Sequence, residues 1–204
     1  MPLVKMKQLL EEASKENRAC GAFSVGNMEM VRGAIRAAEE LNTPIILQIA
    51  EVRLPYSPLH IIGGAMIQAA KEAKVDIAVH FDHGLTFDTV KKALELGFTS
   101  VMLDASTCPF DENVEKVKEV IALAKKYGAT VEAELGLVGG SEDGREDHGI
   151  RKVNIATSSF QSLVKYVEQY MNEENKHNYF DLSETMVQGT YENVKHHMKV
   201  FNME

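Results

Sequence analysis

Residues 75–84 read VDIAVHFDHG, and this stretch decides the fold. Its first half is apolar and β-branched, as in a buried strand, and its second half places His80, Asp82 and His83 before a glycine. A helix-like segment begins at Thr86, so we expect the strand to end and a loop to begin within the polar cluster. In parallel α/β folds, ligands and catalytic groups collect at this carboxyl end of the strands. The stretch therefore predicts a functional site.

The residue types in the cluster suit metal chemistry. A neutral imidazole such as that of His83 can bind a divalent ion, and the adjacent Asp82 carboxylate can move protons beside that ion. The alternative is that both are ordinary polar residues of a loop. A His-x-Asp-His-Gly pattern that closes a buried strand favours the metal site over this alternative.

The composition is that of a soluble globular protein with one domain: 204 residues, 45% of them hydrophobic and 25% charged. A net charge of -8 without a basic stripe argues against a nucleic-acid partner. The two cysteines form no CxxC pattern, which favours buried or unreactive thiols in a reducing compartment. Without a signal core or a stretch that could span a bilayer, the sequence predicts a cytoplasmic protein with small-molecule ligands and no membrane partner.

Strand-like segments start near residues 21, 44, 75, 99 and 130, and a helical segment follows each of the first four. This rhythm predicts parallel βα units and, because polar residues end several strands, a TIM (βα)8-type barrel with its site at the carboxyl face. A doubly wound open sheet is the second possibility. No GxGxxG motif follows the first strand, so a dinucleotide-binding fold has no support.

The rhythm breaks at residues 136–147, which read GLVGGSEDGRED. The next strand-like segment, residues 152–156, follows without a helix of its own, although a parallel crossover usually carries one. We count six strands where a barrel has about eight, and therefore expect that about two βα units are absent between residues 145 and 150. We expect residues 1–204 to form a single barrel domain with a C-terminal helical extension from about residue 158.

The sequence resembles the class II, metal-dependent fructose/tagatose-bisphosphate aldolases. The resemblance covers most of residues 1–160, and its motifs occur in family order: GAFSVGN, PIILQIAE, HFDHG, VMLDAS, VEAELGLVGGSEDG and KVNIAT. It implies a βα barrel that binds a catalytic Zn²⁺, with other divalent ions possible. It also implies cleavage or formation of a ketose (bis)phosphate, with dihydroxyacetone phosphate and an aldehyde as the other side of the reaction. Homodimers and homotetramers are common in the family.

By position in the motifs, the resemblance implies roles for individual residues. His83 matches a zinc ligand, Asp82 the acid/base for the substrate hydroxyl, and Glu134 with Asp104 the carboxylates of a second metal position. Glu142, in the glycine-rich loop of residues 139–144, matches the group that exchanges the proton at the nucleophilic carbon.

Two further matches concern the substrate. Asn154 and Thr157 match residues that hold a substrate hydroxyl and phosphate. At the ends of the first two strands, where the family often has Asn and Ser, the chain has Ser24 and Ala50, and we assign Ser24 to the substrate site.

The family's other two zinc-ligand histidines lie on its sixth and seventh strands, and its phosphate loop follows the seventh. These segments have no counterpart here, and His148 resembles the end of a helix rather than a ligand.

Three hypotheses follow from these observations. The first is a zinc-dependent ketose-bisphosphate aldolase, and the second is an impaired or non-catalytic member that binds a sugar phosphate or a partner. The third is a different barrel enzyme, such as an isomerase of phosphorylated sugars, that shares only a phosphate site.

Overall fold

The computed structural model describes residues 2–135, 150–173 and 178–202. Within them lies a six-stranded parallel sheet with the strand order β5-β4-β3-β2-β1-β6. The strands are β1 (Cys20–Ser24), β2 (Ile45–Ala50), β3 (Ile77–Gly84), β4 (Ser100–Leu103), β5 (Thr130–Glu132) and β6 (Lys152–Ile155). The sheet is therefore a half-barrel whose edge strands are β5 and β6, as predicted from the break in the sequence.

Seven α-helices and a short 3₁₀-helix, η1 (Glu51–Arg53), lie in the described ranges. The helices are α1 (Met6–Lys15), α2 (Met28–Glu40), α3 (Leu59–Glu72), α4 (Phe87–Leu96), α5 (Phe110–Tyr127), α6 (Thr157–Met171) and α7 (Tyr179–Phe201). Asn27 caps α2 by accepting a hydrogen bond from the Met30 N–H at 2.8 Å, and α5 ends at Gly128 in the left-handed conformation. None of these helices is long and apolar enough to cross a membrane.

Side chains alternate between two sides of the sheet. On the outer side, Phe23, Leu47, Val79 and Val101 are buried in the main core with the helices. On the inner side, a smaller apolar cluster fills the amino end of the half-barrel: Met6, Leu9, Ala13, Cys20, Ala22, Ile46 and Ala78. Nearer the carboxyl end, the inner positions become polar, which places the polar residues of several strands around one space.

The long helix α7 packs on α2 and α6. Contact with α2 is close because Gly33 has no side chain: a Cβ there would lie 2.5 Å from the Val187 carbonyl oxygen. Gly189 of α7 meets α6 in a similar way, with the Ser162 carbonyl oxygen 3.1 Å from the position of a Cβ. These three helices cover the sheet beside β1.

One sequence expectation is wrong in detail. The third strand does not end within the polar cluster but continues through Asp82 and His83 to Gly84. Its pairing with β4 shifts register at this point, since Phe81 pairs with Val101 and Gly84 with Leu103. Three steps along β3 therefore match two steps along β4, and the cluster lies in a β-bulge rather than in a loop.

Candidate metal centre and active site

The bulge in β3 determines where His83 lies. Adjacent residues of a regular strand point to opposite faces, but His83 has a φ of +43° in the left-handed region, which redirects its side chain. Its ring reaches the carboxyl ends of β4 and β5, where Asp104 and Glu134 lie. Gly84 permits the bulge, because a Cβ there would lie 2.5 Å from the Met102 carbonyl oxygen.

His83, Asp104 and Glu134 form one cluster. The Nδ1 atom of His83 lies 2.9 Å from Asp104 Oδ2 and 3.9 Å from Glu134 Oε2. All three residues are partly exposed, and one potential ligand atom from each lies within 4.8 Å of the other two. The resemblance assigned the two carboxylates to a second metal position, whereas the structure brings them together with His83 in a single group.

The protonated form of His83 and the ionised form of Asp104 stabilise each other. Partial burial opposes protonation of His83, but its hydrogen bond with Asp104 and the negative charges of Asp82, Asp104 and Glu134 raise its pKa. Burial also opposes ionisation of Asp104. Hydrogen bonds that Asp104 accepts from the Ser106 hydroxyl, at 2.6 Å, and from the Ser106 N–H, together with the contact to His83, nevertheless lower its pKa. The cluster is therefore a negative site that favours a cation.

This donor set fits a divalent metal ion. An imidazole nitrogen and two carboxylate oxygens are borderline-hard ligands that suit zinc, and three protein ligands are usual at a catalytic zinc site. The Ser106 hydrogen bonds hold the Asp104 carboxylate in place, as outer-shell partners do for metal ligands. Among the described residues, this cluster offers a single imidazole.

Asp82 lies beside the cluster and is almost fully buried at 5% exposure. Its Oδ2 accepts a hydrogen bond from the Gln48 amide of β2 at 3.2 Å, and its Oδ1 faces His80 Nε2 at 3.6 Å. The Gln48 amide also contacts the Ser24 hydroxyl at 3.2 Å. Three neighbouring strands thus fix the surroundings of this carboxylate.

A second set of polar side chains extends across the interior of the half-barrel, from β5 to β6. Glu132 of β5 lies 3.2 Å from His80 Nε2 and 2.9 Å from the ammonium of Lys152 on β6. Lys152 also donates to the Asn154 side chain at 2.6 Å. The two edge strands, which do not pair with each other in the described structure, are therefore joined by an ion pair.

Three residues were predicted from the sequence to bind the substrate. Asn154 is exposed on β6, Thr157 is exposed at the first turn of α6, and Ser24 is buried at the end of β1 against Gln48. Pairing of β1 with β6 puts the ends of these strands side by side. Glu142 and His148 lie outside the described residues.

Three residues of the site were given no role from the sequence, although His80 was part of the polar cluster: Gln48, His80 and Lys152. Each is a polar side chain within a predicted strand. Two residues away, on the same face of the strand, lies another residue that is polar or small. A polar residue at alternate positions of an otherwise buried strand is the signal that could have identified them. Glu132 and Glu134, two residues apart, face the same side, since they contact His80 and His83 respectively.

Comparison with known proteins gives a consistent result. Residues 4–148 match the sequence profile of the family described as fructose-bisphosphate aldolase class-II. A fructose-bisphosphate aldolase of Giardia intestinalis is 48% identical over 145 residues, which are 70% of this chain and 45% of that protein. A probable fructose-bisphosphate aldolase of Bacillus subtilis is 43% identical over 151 residues, covering 70% of this chain and 51% of that protein. The chain thus spans about half the length of the curated relatives it matches.

Solved structures show the same fold at low sequence identity. The crystal structure of the YdjI aldolase from Escherichia coli superposes with a TM-score of 0.88 at 23% identity, covering 98% of this chain and 97% of that chain. The structure of a putative fructose-1,6-biphosphate aldolase from Coccidioides immitis superposes with a TM-score of 0.85 at 19% identity, covering 97% and 96%.

Proposed function

The chain belongs to the class II fructose-bisphosphate aldolase family, and from this membership we propose that it is a metal-dependent aldolase. It cleaves or forms a ketose (bis)phosphate, such as fructose- or tagatose-bisphosphate, with dihydroxyacetone phosphate and an aldehyde on the other side of the reaction. The observation that carries the proposal is the cluster of His83, Asp104 and Glu134 beside the buried Asp82, at the carboxyl ends of β3, β4 and β5. Ligands of parallel α/β barrels bind at this end.

We assign the metal to His83, Asp104 and Glu134. Zinc suits these ligands best, with cobalt or manganese as substitutes. When bound, the ion supplies a Lewis acid that stabilises the negative charge developing beside the substrate carbonyl.

The protein residues handle the protons. In the cleavage direction, Asp82 accepts the proton of the substrate hydroxyl while the electrons of the broken carbon–carbon bond pass to the carbon next to the carbonyl. That carbon then takes a proton from Glu142, which lies outside the described residues. In the synthetic direction both transfers reverse, and Asp82 returns its proton to the new hydroxyl.

Ser24, Asn154 and Thr157 serve the substrate in this proposal. Thr157 at the start of α6 suits a phosphate, because the first turn of a helix presents unpaired N–H groups and a positive dipole. Asn154 binds a substrate hydroxyl, and Ser24 supports Gln48 at the same carboxyl edge. The ligand is a phosphorylated sugar. We place the protein in the cytoplasm, since the free state of both cysteines suits a reducing compartment. We propose that it forms a homodimer or homotetramer.

A metal-depletion assay tests the proposal. The purified chain is incubated with fructose 1,6-bisphosphate or tagatose 1,6-bisphosphate, and dihydroxyacetone phosphate is measured with a coupled dehydrogenase. Chelation should abolish cleavage and added zinc should restore it. Cleavage that continues after the metal has been removed contradicts the proposal, since the carbonyl would then be activated in another way.

A second candidate is a non-catalytic member that binds a sugar phosphate. It is favoured by the single imidazole that the described cluster offers. This candidate predicts binding of the bisphosphate by calorimetry with no dihydroxyacetone phosphate formed at any zinc concentration. Isomerisation of a sugar phosphate without cleavage would instead support a different barrel enzyme.

A further inference from the structure

His80 is completely buried in the middle of β3, two residues before Asp82 and on the same inner side of the sheet. The two nitrogens of its ring have different neighbours. Nδ1 lies 2.8 Å from the Ser100 hydroxyl of β4. Nε2 faces two carboxylates, with Glu132 Oε2 at 3.2 Å and Asp82 Oδ1 at 3.6 Å. The ring therefore stands between a residue assigned to the reaction and a residue of the opposite edge strand.

The neighbours determine which nitrogen carries a proton. Ionised carboxylates only accept hydrogen bonds, so an Nε2 that faces two of them must be a donor. In the neutral ring, Nδ1 then accepts from the Ser100 hydroxyl. His80 Nε2 and Asp82 Oδ1 are buried, and in the described part of the chain they have no other hydrogen-bond partner besides each other and, for Nε2, Glu132 Oε2. Because an unpaired buried polar atom is costly, Nε2 depends on Glu132 Oε2, and Asp82 Oδ1 depends on Nε2.

The far side of this arrangement is anchored. Lys152 holds both oxygens of Glu132, at 2.9 and 3.1 Å, and so fixes the carboxylate that lies nearest to Nε2. Ser100 fixes the other end of the ring. The Asp82 carboxylate accepts a hydrogen bond from Gln48 at Oδ2, and its Oδ1 lies 3.6 Å from His80 Nε2, which is an electrostatic contact rather than a hydrogen bond.

We propose that His80 is a positioning residue for the acid/base Asp82. Its Nε2–H is directed at the anchored Glu132 and lies close enough to Asp82 Oδ1 to attract it, so that it orients the Asp82 carboxylate before the substrate binds. This role rests on the proposed function, since it requires that Asp82 carries a proton in the reaction. A misplacement of about 1 Å at a reacting group can lower the rate by about 10²-fold, so loss of the His80 contact should lower kcat.

Two conservative variants separate positioning from packing. The amide nitrogen of His80→Gln can reach the place of Nε2, whereas that of His80→Asn lies near Nδ1 and can contact only Ser100. In the zinc-loaded enzyme, cleaving fructose 1,6-bisphosphate, we expect His80→Asn to lower kcat by about tenfold to a hundredfold with KM and zinc content nearly unchanged. His80→Gln should recover most of this loss. If Asn serves as well as or better than Gln, the Ser100 contact is the important one and the proposal is overturned.

A spectroscopic measurement does not depend on turnover. In protein with ¹⁵N-labelled histidine, the His80 Nε2 resonance should be that of a protonated nitrogen, and Asp82→Asn should move it while Ser100→Ala mainly moves Nδ1. An unprotonated Nε2, or one that does not respond to Asp82→Asn, overturns the proposal even if the His80 variants fail to fold. If the Nε2 resonance responds but the wild-type chain cleaves no bisphosphate, the pairing stands and the aldolase function fails.

Discussion

The ion pair between Lys152 and Glu132 joins the two edge strands of the half-barrel, so breaking it should destabilise the fold. The Lys152 side chain is 11% exposed and that of Glu132 is 26% exposed, which makes this a largely buried pair. Lys152→Met keeps most of the length and the apolar stem of the side chain but removes the charge. Glu132 is then left ionised in the interior with His80 as its remaining partner.

The magnitude follows from the pKa of Glu132. Burial alone would raise this pKa, but the hydrogen bond and interaction with His80 and the charge of Lys152 outweigh burial and hold the pKa at about 2, against an ordinary 4.5. This difference of about 2.5 units favours the ionised form by about 3 kcal/mol. Since His80 and Lys152 share the effect, we expect Lys152→Met to lower the free energy of unfolding by about 1 to 2 kcal/mol at neutral pH.

Urea denaturation of the metal-free protein measures this effect in a double-mutant cycle with Glu132→Gln. The double variant should lose less than the sum of the two single variants, with a coupling energy of about 1 kcal/mol or more. The exposed pair of Lys118 and Glu115, whose N–O distance is 2.7 Å, is the control and should show weaker coupling. Additive effects at Lys152 and Glu132 would refute the reasoning.

The same pair predicts an acid dependence of stability. The pKa of Glu132 is lower in the folded chain than in the unfolded chain, so its stabilisation is complete above pH 4.5 and is lost as the pH falls towards about 2. Glu132→Gln should flatten this part of the stability profile. A variant profile as steep as that of the wild type in this range would contradict the pKa assigned to Glu132.

Two further predictions concern β3. Asp82→Ala should lower turnover by about 10²-fold or more while zinc content, measured by mass spectrometry, is unchanged; unchanged turnover would remove Asp82 from the mechanism. Gly84→Ala should lower the melting temperature and weaken zinc binding, because the new Cβ would meet the Met102 carbonyl oxygen at 2.5 Å. Gly64→Ala in α3 is the control, since nothing lies within 4 Å of its Cβ position and alanine favours a helix. Equal effects at Gly84 and Gly64 would show that the bulge tolerates a side chain.

Much of the fold follows from local pattern. Apolar strand segments that alternate with amphipathic helices predict parallel βα units, and the helix-free connection after residue 135 predicted the missing part of the barrel. The six strands begin within about two residues of the predicted positions, a precision that is ordinary for such boundaries.

The details of the site were harder to predict, because they depend on register between strands that are distant in sequence. No local signal tells that β3 has a bulge at His83, which depends on the close approach of Gly84 to β4. Asp104 and Glu134 were predicted from the sequence as metal ligands, but the sequence does not show that both carboxylates would lie beside the imidazole of His83. The role of Lys152 depends on two edge strands that face each other across the interior, which only the assembled sheet reveals.

Metal binding by His83 tests the central claim most directly. The chain is stripped of metal, titrated with zinc or with cobalt, whose visible spectrum reports its ligands, and compared with His83→Ala at equal concentration. Circular dichroism checks that both proteins are folded. We predict one equivalent of metal in the wild type and loss of both metal and aldol cleavage in His83→Ala, which keeps its secondary structure because the apolar strands pack the core. Stoichiometric zinc retained by folded His83→Ala would contradict the account.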